Sequence, residues 1–216
     1  MGDFQRIGHG GASALAPANT LASFDAALEV GVDMVEFDLR AWRGELVLAH
    51  TVLHARLGAL CLDRALRHLA GRHFDGVAVN VDLKDPGCEA ALLDALHQHR
   101  LLGRVLISSQ VPAVLDRLRA RDPRTRTAIS VGGRIARISQ RWGDWRAKVL
   151  ADLAVRRWDG LMAQHRLVDG RLLDAVAERG GALYAWTVND RDAIGALREL
   201  GVHGVATADP RLFAPG

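Results

Sequence analysis

The stretch RIGHGGASALAPANT, residues 6–20, joins the end of an apolar run to the start of a segment with helical periodicity. Glycines surround His9, so the chain can turn tightly there and another group can approach the backbone closely. Pro17, Asn19 and Thr20 are residue types that commonly precede or begin helices. The stretch therefore predicts a strand-to-helix connection with a histidine at its turn.

The same strand-then-helix pattern repeats along the chain. Apolar runs predict eight strands, at residues 4–8, 34–39, 77–83, 105–108, 127–131, 160–163, 183–188 and 202–206. Segments with helical spacing lie between them, among them residues 20–30, 89–100, 111–121, 172–179 and 190–200. Eight such repeats favour a closed (β/α)8 TIM barrel, with an open doubly wound sheet as the alternative.

Local signals refine this prediction. Asn19 or Thr20 is expected to cap the first helix, and glycines that suit a left-handed helix end follow three helices, at Gly31, Gly180 and Gly201. The segment ELVLAHT after the turn RGE predicts a short extra strand, and so a small hairpin insertion after the second strand. Because residues 1–216 contain no low-complexity linker, we expect a single domain.

The composition is that of an ordinary globular protein, with 49% hydrophobic and 25% charged residues. The sequence shows no apolar run of membrane-spanning length and no signal-peptide pattern, so we expect a cytoplasmic protein. The basic excess between Arg100 and Lys148 carries no nucleic-acid motif, and we interpret it as a solvated surface rather than a nucleic-acid site. We interpret Cys61 and Cys88 as buried thiols outside any disulfide framework.

Acidic residues stand near the carboxyl ends of two predicted strands, where active sites of (β/α)8 barrels form. Glu36 and Asp38 share one face of the second strand, and Asp82 and Lys84 share one face of the third. Three carboxylates would give one divalent cation, Mg²⁺ or Ca²⁺, the oxygen ligands it prefers. Without an ion they would repel one another, unless Lys84 and nearby arginines form structural ion pairs with them. We favour the metal.

Two of the nine histidines occupy diagnostic positions. His9 ends the first strand and His50 ends the hairpin strand, so both flank the acidic strands. Two imidazoles beside a metal can divide the duties of base and acid near neutral pH. We assign no role to the other histidines, which are His54, His68, His73, His97, His99, His165 and His203.

Taken together, the motifs GHGG, PANT, EFD, AHT, NVDLK, AWTVND and GVATADP resemble those of the glycerophosphodiester phosphodiesterases, in the same order and over nearly the whole chain. The resemblance implies a metal-dependent hydrolase of lipid metabolism that cleaves glycerophosphodiesters to glycerol 3-phosphate and an alcohol. It implies catalytic roles for His9 and His50, metal ligation by Glu36, Asp38 and Asp82, and substrate contacts from Lys84, Trp186 and Asn19.

The chain also departs from the family pattern. Gly10 replaces an arginine, Ala18 a glutamate and Thr51 an aspartate, while Asp82 replaces a longer glutamate. The loss at Gly10 removes a guanidinium that could bind phosphate with two hydrogen bonds. The arginines considered as replacements are Arg6, Arg40 and Arg43.

Several alternatives stay open at this level. The departures would also suit a non-catalytic barrel that binds phosphate esters, and a lysophospholipid-directed, phospholipase D-like enzyme is a further alternative. Residues 134–149 predict an amphipathic helix with a basic face. We favour an outer barrel helix that packs its apolar stripe inward, and peripheral membrane contact is the alternative. We expect a small-molecule phosphodiester substrate and no nucleic-acid partner. The sequence does not decide whether the attacking oxygen belongs to water or to a substrate hydroxyl. It does not define the oligomeric state either.

Overall fold

The computed structural model describes residues 4–132 and 139–214. Its strands are β1 (Gln5–Gly8), β2 (Met34–Trp42), β3 (Glu45–Leu48), β4 (Leu60–Cys61), β5 (Ala78–Leu83), β6 (Val105–Ser109), β7 (Arg126–Val131), β8 (Gly160–Gln164), β9 (Ala182–Trp186) and β10 (Gly204–Thr207). Eight of them, all except β3 and β4, form a parallel sheet that closes because β1 pairs with both β2 and β10. The predicted (β/α)8 barrel is confirmed, and the open-sheet alternative is wrong.

Helices cover the outside of the barrel. They are α1 (Leu21–Val30), α2 (Val52–Arg56), α3 (Leu62–Leu69), α4 (Glu89–Gln98), α5 (Pro112–Arg121), α6 (Ser139–Ala154), α7 (Gly170–Ala177) and α8 (Arg191–Leu200). Thr20, one of the two predicted caps, starts α1 through a capping box with Ser23. Among these described helices, none has the length and apolar character needed to cross a membrane.

The predicted hairpin follows β2. Strand β3 pairs with β2 in antiparallel fashion, and the turn between them uses left-handed backbone at Arg43 and Gly44. The two-residue β4 then pairs with β3, and the five-residue α2 lies between them; β4 and α2 are too short to give a clear periodic signal in the sequence. Cys61 of β4 is exposed, so its expected burial is wrong, whereas Cys88 is buried.

Alternation along the strands separates two apolar layers. One layer packs between strands and helices, and it includes Val35, Phe37 and Leu39 of β2. The other fills the barrel interior, where Met34 is a member. Because side chains two apart share a face, Glu36 and Asp38 project on the side of Met34, towards the barrel interior. The fold therefore carries two acidic side chains to the barrel mouth.

The predicted amphipathic helix is described in part. Residues 133–138 and the side chains of residues 139–142 lie outside the described part of the chain, and with them much of the predicted stripe. Of the remainder, Trp145 packs against the core and Val149 is 1% exposed. This inward packing agrees with an outer barrel helix.

Phe24 of α1 and Phe37 of β2 are fully buried, and their ring centroids lie 5.8 Å apart. We expect Phe24→Ala to lower the free energy of unfolding by about 3–5 kcal/mol, because it removes apolar contact and leaves a cavity. Urea denaturation followed by circular dichroism measures this loss. Val155→Ala, at a side chain that is 74% exposed, is the control and should change stability by less than about 0.5 kcal/mol. Equal stability of the two variants would contradict this assignment of the core.

Candidate active site

Three carboxylates converge at the carboxyl ends of neighbouring strands. Glu36 and Asp38 belong to β2, and Asp82 of β5 stands directly opposite Asp38 in the strand register. One carboxylate oxygen from each residue lies within 4.8 Å of the other two. Glu36 and Asp38 are 4% and 3% exposed, so their charges are removed from bulk water. The structure thus brings together the three predicted ligands.

Lys84 connects two of these carboxylates. Its Nζ lies 2.7 Å from Asp38 Oδ1 and also contacts Asp82 Oδ2. Burial opposes the lysine charge, but the negative charges of Asp82 and Asp38 outweigh that effect and raise the pKa of Lys84. The ammonium group of Lys84 therefore offsets part of the negative charge of Asp38 and Asp82.

The pKa values of the two aspartates are shifted in opposite directions, although burial favours the neutral form of both. Burial favours the neutral form of Asp38, but hydrogen bonds from His50, Lys84 and Asn19 and the charge of Lys84 hold its pKa well below the usual range. Burial raises the pKa of Asp82 despite the charge of Lys84, and the negative charge of Glu36 adds to the rise. Lys84 alone leaves the negative charge at Asp82 incompletely compensated.

His9 is fixed by the first carboxylate. Its Nδ1 lies 2.6 Å from Glu36 Oε2, and the backbone N–H of Gly10 donates to the same oxygen at 2.8 Å. The negative charge of Glu36 raises the pKa of His9 to about 9. A Cβ at Gly11 would lie 2.6 Å from the backbone carbonyl of Ser23, so glycine lets this loop pass close to α1.

His50 is fixed by the second carboxylate. Its Nδ1 lies 3.1 Å from Asp38 Oδ1. Arg40 holds the loop behind it, because its Nε donates to the His50 carbonyl at 3.1 Å while its Nη1 pairs with Asp85 at 2.7 Å. Both His9 and His50 therefore use Nδ1 for a carboxylate of β2, which leaves Nε2 of each ring for proton exchange.

Asn19 acts on Asp38 rather than on the helix that follows. Its Nδ2 donates to Asp38 Oδ2 at 3.0 Å, and its Oδ1 accepts the backbone N–H of Asp38 at 3.0 Å. Its backbone is left-handed, with φ of 61°, a conformation that asparagine tolerates better than most residues. The side chain ties the loop before α1 to β2 and orients the carboxylate.

Two further side chains support Asp82, and sequence reasoning did not select them. Ser108 Oγ of β6 donates to Asp82 Oδ1 at 3.1 Å, and Asn80 Nδ2 donates to Ser108 Oγ at 3.1 Å. Asn80 could have been found, since it is two residues before Asp82 and shares its face. Ser108 could not, because its position opposite Asp82 depends on the register between β5 and β6.

Two cavities meet at the histidines. An inner cavity of about 70 Å³ contains His9, His50, Asp82, Lys84 and Trp186 in its walls. An outer cleft of about 500 Å³ shares both histidines and extends between the loop before α1 and the hairpin insertion. Trp186 is anchored by its Nε1, which donates to the Met162 carbonyl at 3.0 Å. The predicted wall position of Trp186 agrees with this geometry.

The three arginines considered as replacements for the missing guanidinium do not line either cavity. Arg6 pairs with Asp33 at 2.8 Å, Arg40 pairs with Asp85, and Arg43 lies over the Trp42 ring in the hairpin turn. Among the described residues, Lys84 is the only lysine or arginine that lines the inner cavity.

The two family positions occupied by Gly10 and Ala18 are neighbours in space. A Cβ at Gly10 would lie 3.0 Å from the Cβ of Ala18, and both residues line the outer cleft. An arginine and a glutamate at these positions would project from adjacent backbone. Their joint replacement by the two smallest residues therefore makes one wall of the cleft small and free of charge.

The carboxylate cluster fits a divalent cation. Its donors are carboxylate oxygens, which Mg²⁺ and Ca²⁺ prefer, and both histidines direct Nδ1 at carboxylates. Three carboxylates converge on one point and Lys84 contacts two of them, so a cation would offset the remaining negative charge. Glu36, Asp38 and Asp82 could therefore hold the ion that the sequence predicts.

The fold and the site define the class of protein: a (β/α)8 barrel with a carboxylate and histidine centre at the carboxyl ends of its strands. The profile of the Glycerophosphoryl diester phosphodiesterase family matches residues 9–60 and 75–212, which is most of the chain. The chain therefore belongs to this family, and the resemblance seen in the sequence is confirmed.

Individual relatives agree over nearly their full lengths. A glycerophosphodiester phosphodiesterase of Caldanaerobacter subterraneus subsp. tengcongensis is 24% identical over 238 residues, covering 94% of this chain and 93% of that protein. A solved phosphodiesterase from Oleispira antarctica, in complex with the product sn-glycerol-3-phosphate, has a TM-score of 0.76 and 23% identity, covering 96% of this chain and 94% of the other. The solved glycerophosphodiester phosphodiesterase of Thermotoga maritima has a TM-score of 0.75 and 20% identity, covering 99% of this chain and 98% of the other.

The contact between Asn19 and Asp38 can be tested by Asn19→Gly, since glycine keeps the left-handed backbone while removing both hydrogen bonds. We expect affinity for Ca²⁺ to fall roughly 10–100-fold, as is typical when a residue that orients a metal ligand is lost. Isothermal titration calorimetry measures this affinity. Asn189→Gly removes an asparagine that bonds the backbone N–H of Ala208 and is the matched control. Equal affinity in the two variants would contradict the role of Asn19.

Proposed function

We propose that this chain hydrolyses glycerophosphodiesters to glycerol 3-phosphate and an alcohol, with one divalent cation as cofactor. The observation that carries the proposal is a single cavity walled by two carboxylate-held histidines, a third carboxylate and Lys84. This arrangement supplies two groups for proton exchange and positive charge at one place. Membership in the family and the product bound to the Oleispira antarctica relative support the choice of substrate.

In this proposal Glu36, Asp38 and Asp82 hold the cation, which is Mg²⁺ or Ca²⁺. When bound, it polarises the phosphoryl oxygens and offsets their negative charge. Asn19 orients Asp38 and Ser108 orients Asp82, so two of the three ligands have fixed carboxylate planes. Lys84 contributes a second positive charge at the inner cavity, whereas Gly10, which stands where the family has an arginine, lines the outer cleft.

His9 and His50 move the protons. One imidazole accepts the proton of the attacking oxygen as that oxygen bonds to phosphorus, and the bond from phosphorus to the alcohol oxygen breaks. The other imidazole protonates the departing alkoxide. The carboxylate on Nδ1 fixes each ring, and the negative charge of Glu36 also raises the pKa of His9. The attacking oxygen is that of water or of a neighbouring substrate hydroxyl, which would give a cyclic phosphate first.

The site also bears on the non-catalytic alternative. Thr51, one of the residues that motivated it, caps α2 through a hydrogen bond from the His54 N–H and so has a structural use. The acid/base pair and the three carboxylates are assembled, and this assembly favours catalysis over binding alone. Measurable affinity for glycerol 3-phosphate without any turnover of a phosphodiester would support the binding protein instead.

The histidine roles predict the effect of His9→Ala and His50→Ala on turnover of glycerophosphocholine with Mg²⁺ or Ca²⁺. We expect each to reduce kcat at least about 100-fold, because each removes one proton-transfer group. A coupled assay for glycerol 3-phosphate measures the rate, and EDTA should abolish it. His97→Ala is the control, since His97 pairs with Asp122 on the barrel exterior. Unchanged turnover in both active-site variants would refute the mechanism.

A specific observation favours the second candidate, a lysophospholipid-directed activity at the same site. Among the described residues, six large hydrophobic side chains are exposed, and four of them lie in the two segments that enclose the outer cleft. These four are Leu15, Val52, Leu53 and Leu57. Exposed apolar side chains gathered around a binding cleft are typical of sites that take apolar ligands or contact a membrane.

The shape of the cleft is consistent with a substrate whose glycerol carries an acyl chain. The small side chains of Gly10 and Ala18 form one wall, and Leu57, Ala59 and Leu60 belong to the opposite wall. A cleft of about 500 Å³ starting at the two histidines has room for a portion of an acyl chain. In this second candidate the phosphate still occupies the inner cavity, and peripheral membrane contact would present the substrate at the apolar rim.

Leu57→Asp tests this candidate, because Leu57 lines the cleft and is 76% exposed. We expect the ratio of kcat/KM for lysophosphatidylcholine to kcat/KM for glycerophosphocholine to fall about tenfold, since one apolar contact is replaced by a charge. Choline release measures both rates. Val155→Asp, at another exposed apolar position, should leave the ratio unchanged. Activity on glycerophosphocholine with none on the lysophospholipid would reject only this second candidate.

A further inference from the structure

A second group of potential metal ligands lies outside the barrel, apart from the carboxylate cluster. Asp25 belongs to α1, His68 to α3, and His73 to the short 3-10 turn Arg72–Phe74 that follows α3. One ligand atom from each lies within 4.8 Å of the other two. The side chains of Asp25 and His68 are 48% and 22% exposed, so an ion can reach them from solvent.

The imidazoles of this group are held in place by packing. His68 Nε2 lies 2.6 Å from Asp25 Oδ1, which links α1 to α3 directly. The rings of His68 and His73 have centroids 5.2 Å apart, and both rings contact Phe74 at 5.3 and 4.8 Å. Phe74 is 1% exposed. Because a buried ring supports both imidazoles, they lose little additional freedom when they bind an ion.

Gly71 gives an independent indication that the position of the His73 ring is defined by its surroundings. Its φ is −66°, which any residue adopts, so the backbone conformation does not require glycine. A Cβ at this position would lie 2.6 Å from His73 Cε1 and 2.9 Å from His73 Nδ1. The missing side chain therefore provides the space that the imidazole occupies beside His68.

We propose that Asp25, His68 and His73 bind a zinc ion that ties α1 to the turn after α3. Two imidazole nitrogens and one carboxylate oxygen form a ligand set that zinc prefers, with water at the fourth position. Mg²⁺ and Ca²⁺ favour oxygen ligands, so they select the cluster in the barrel mouth instead. The two sites therefore differ in the ion they take as well as in their position.

The ion would act on stability rather than on the reaction. It would cross-link α1 to the end of α3 beside the hydrogen bond between Asp25 and His68, which is the one side-chain hydrogen bond between these two helices among the described residues. Binding to the folded chain alone raises the stability of that state. At a zinc concentration well above the dissociation constant, we expect the melting temperature to rise by about 5 °C.

The test measures zinc content by equilibrium dialysis and melting temperature by scanning fluorimetry, with excess Mg²⁺ present throughout. The proteins are the wild type, His68→Gln, His73→Ala and Asp82→Asn, with His97→Ala as a matched control. His97 also pairs with a carboxylate, Asp122, at 2.9 Å. His73→Ala changes an exposed side chain, so this variant is expected to fold and keeps the test decisive if His68→Gln does not.

We expect about one zinc per chain in the wild type, Asp82→Asn and His97→Ala, and a loss of at least about tenfold in affinity in His68→Gln and His73→Ala. The melting temperature should rise with zinc in the first group alone. Zinc binding that persists in His73→Ala, that disappears in Asp82→Asn, or that is absent from the wild type would overturn the proposal. None of these outcomes depends on the hydrolytic activity.

Discussion

The convergence of Glu36 and Asp38, which are buried, and Asp82, which is partly buried, at one end of the barrel is the constraint on which the rest of the site depends. Three carboxylates in a cavity with little water are costly unless positive charge and hydrogen bonds compensate them. Lys84 bridges two of the three, and the His9 ring contacts the other. The proposed cation completes the compensation, so the need to stabilise the fold and the need to attract a phosphate coincide at this place.

Asp38 is the residue that three supporting segments contact at the same carboxylate. It contacts His50, Lys84 and Asn19, which come from the hairpin insertion, the end of β5 and the loop before α1. A shift in any of these segments would change the direction of the same carboxylate. The hairpin insertion thus does more than extend the sheet, because it supplies one of the two imidazoles and one side of the outer cleft.

Periodicity was sufficient to predict the eight barrel strands, because each is a run of buried residues separated by a helical segment. The two-residue spacings in β2 and β5 correctly placed Glu36, Asp38 and Asp82 together, since alternation fixes the face and parallel strands share an end. Contacts that depend on strand register or on loop conformation could not be predicted from the sequence. The hydrogen bond from Ser108 to Asp82 is an example, because it depends on the register between β5 and β6. The group formed by Asp25, His68 and His73 was missed for the same reason: three separate segments must pack before it exists.

Two of the departures from the family pattern, Gly10 and Ala18, are best understood as one change in the chemistry of the cleft wall. The two positions are neighbours, because a Cβ at Gly10 would lie 3.0 Å from the Cβ of Ala18, so both departures change the same wall of the outer cleft. The phosphate would then depend on Lys84, the histidines and the cation. The space beside His9 lies in the cleft that the exposed Leu57 also lines, so small residues at positions 10 and 18 leave room there for a bulky substrate group.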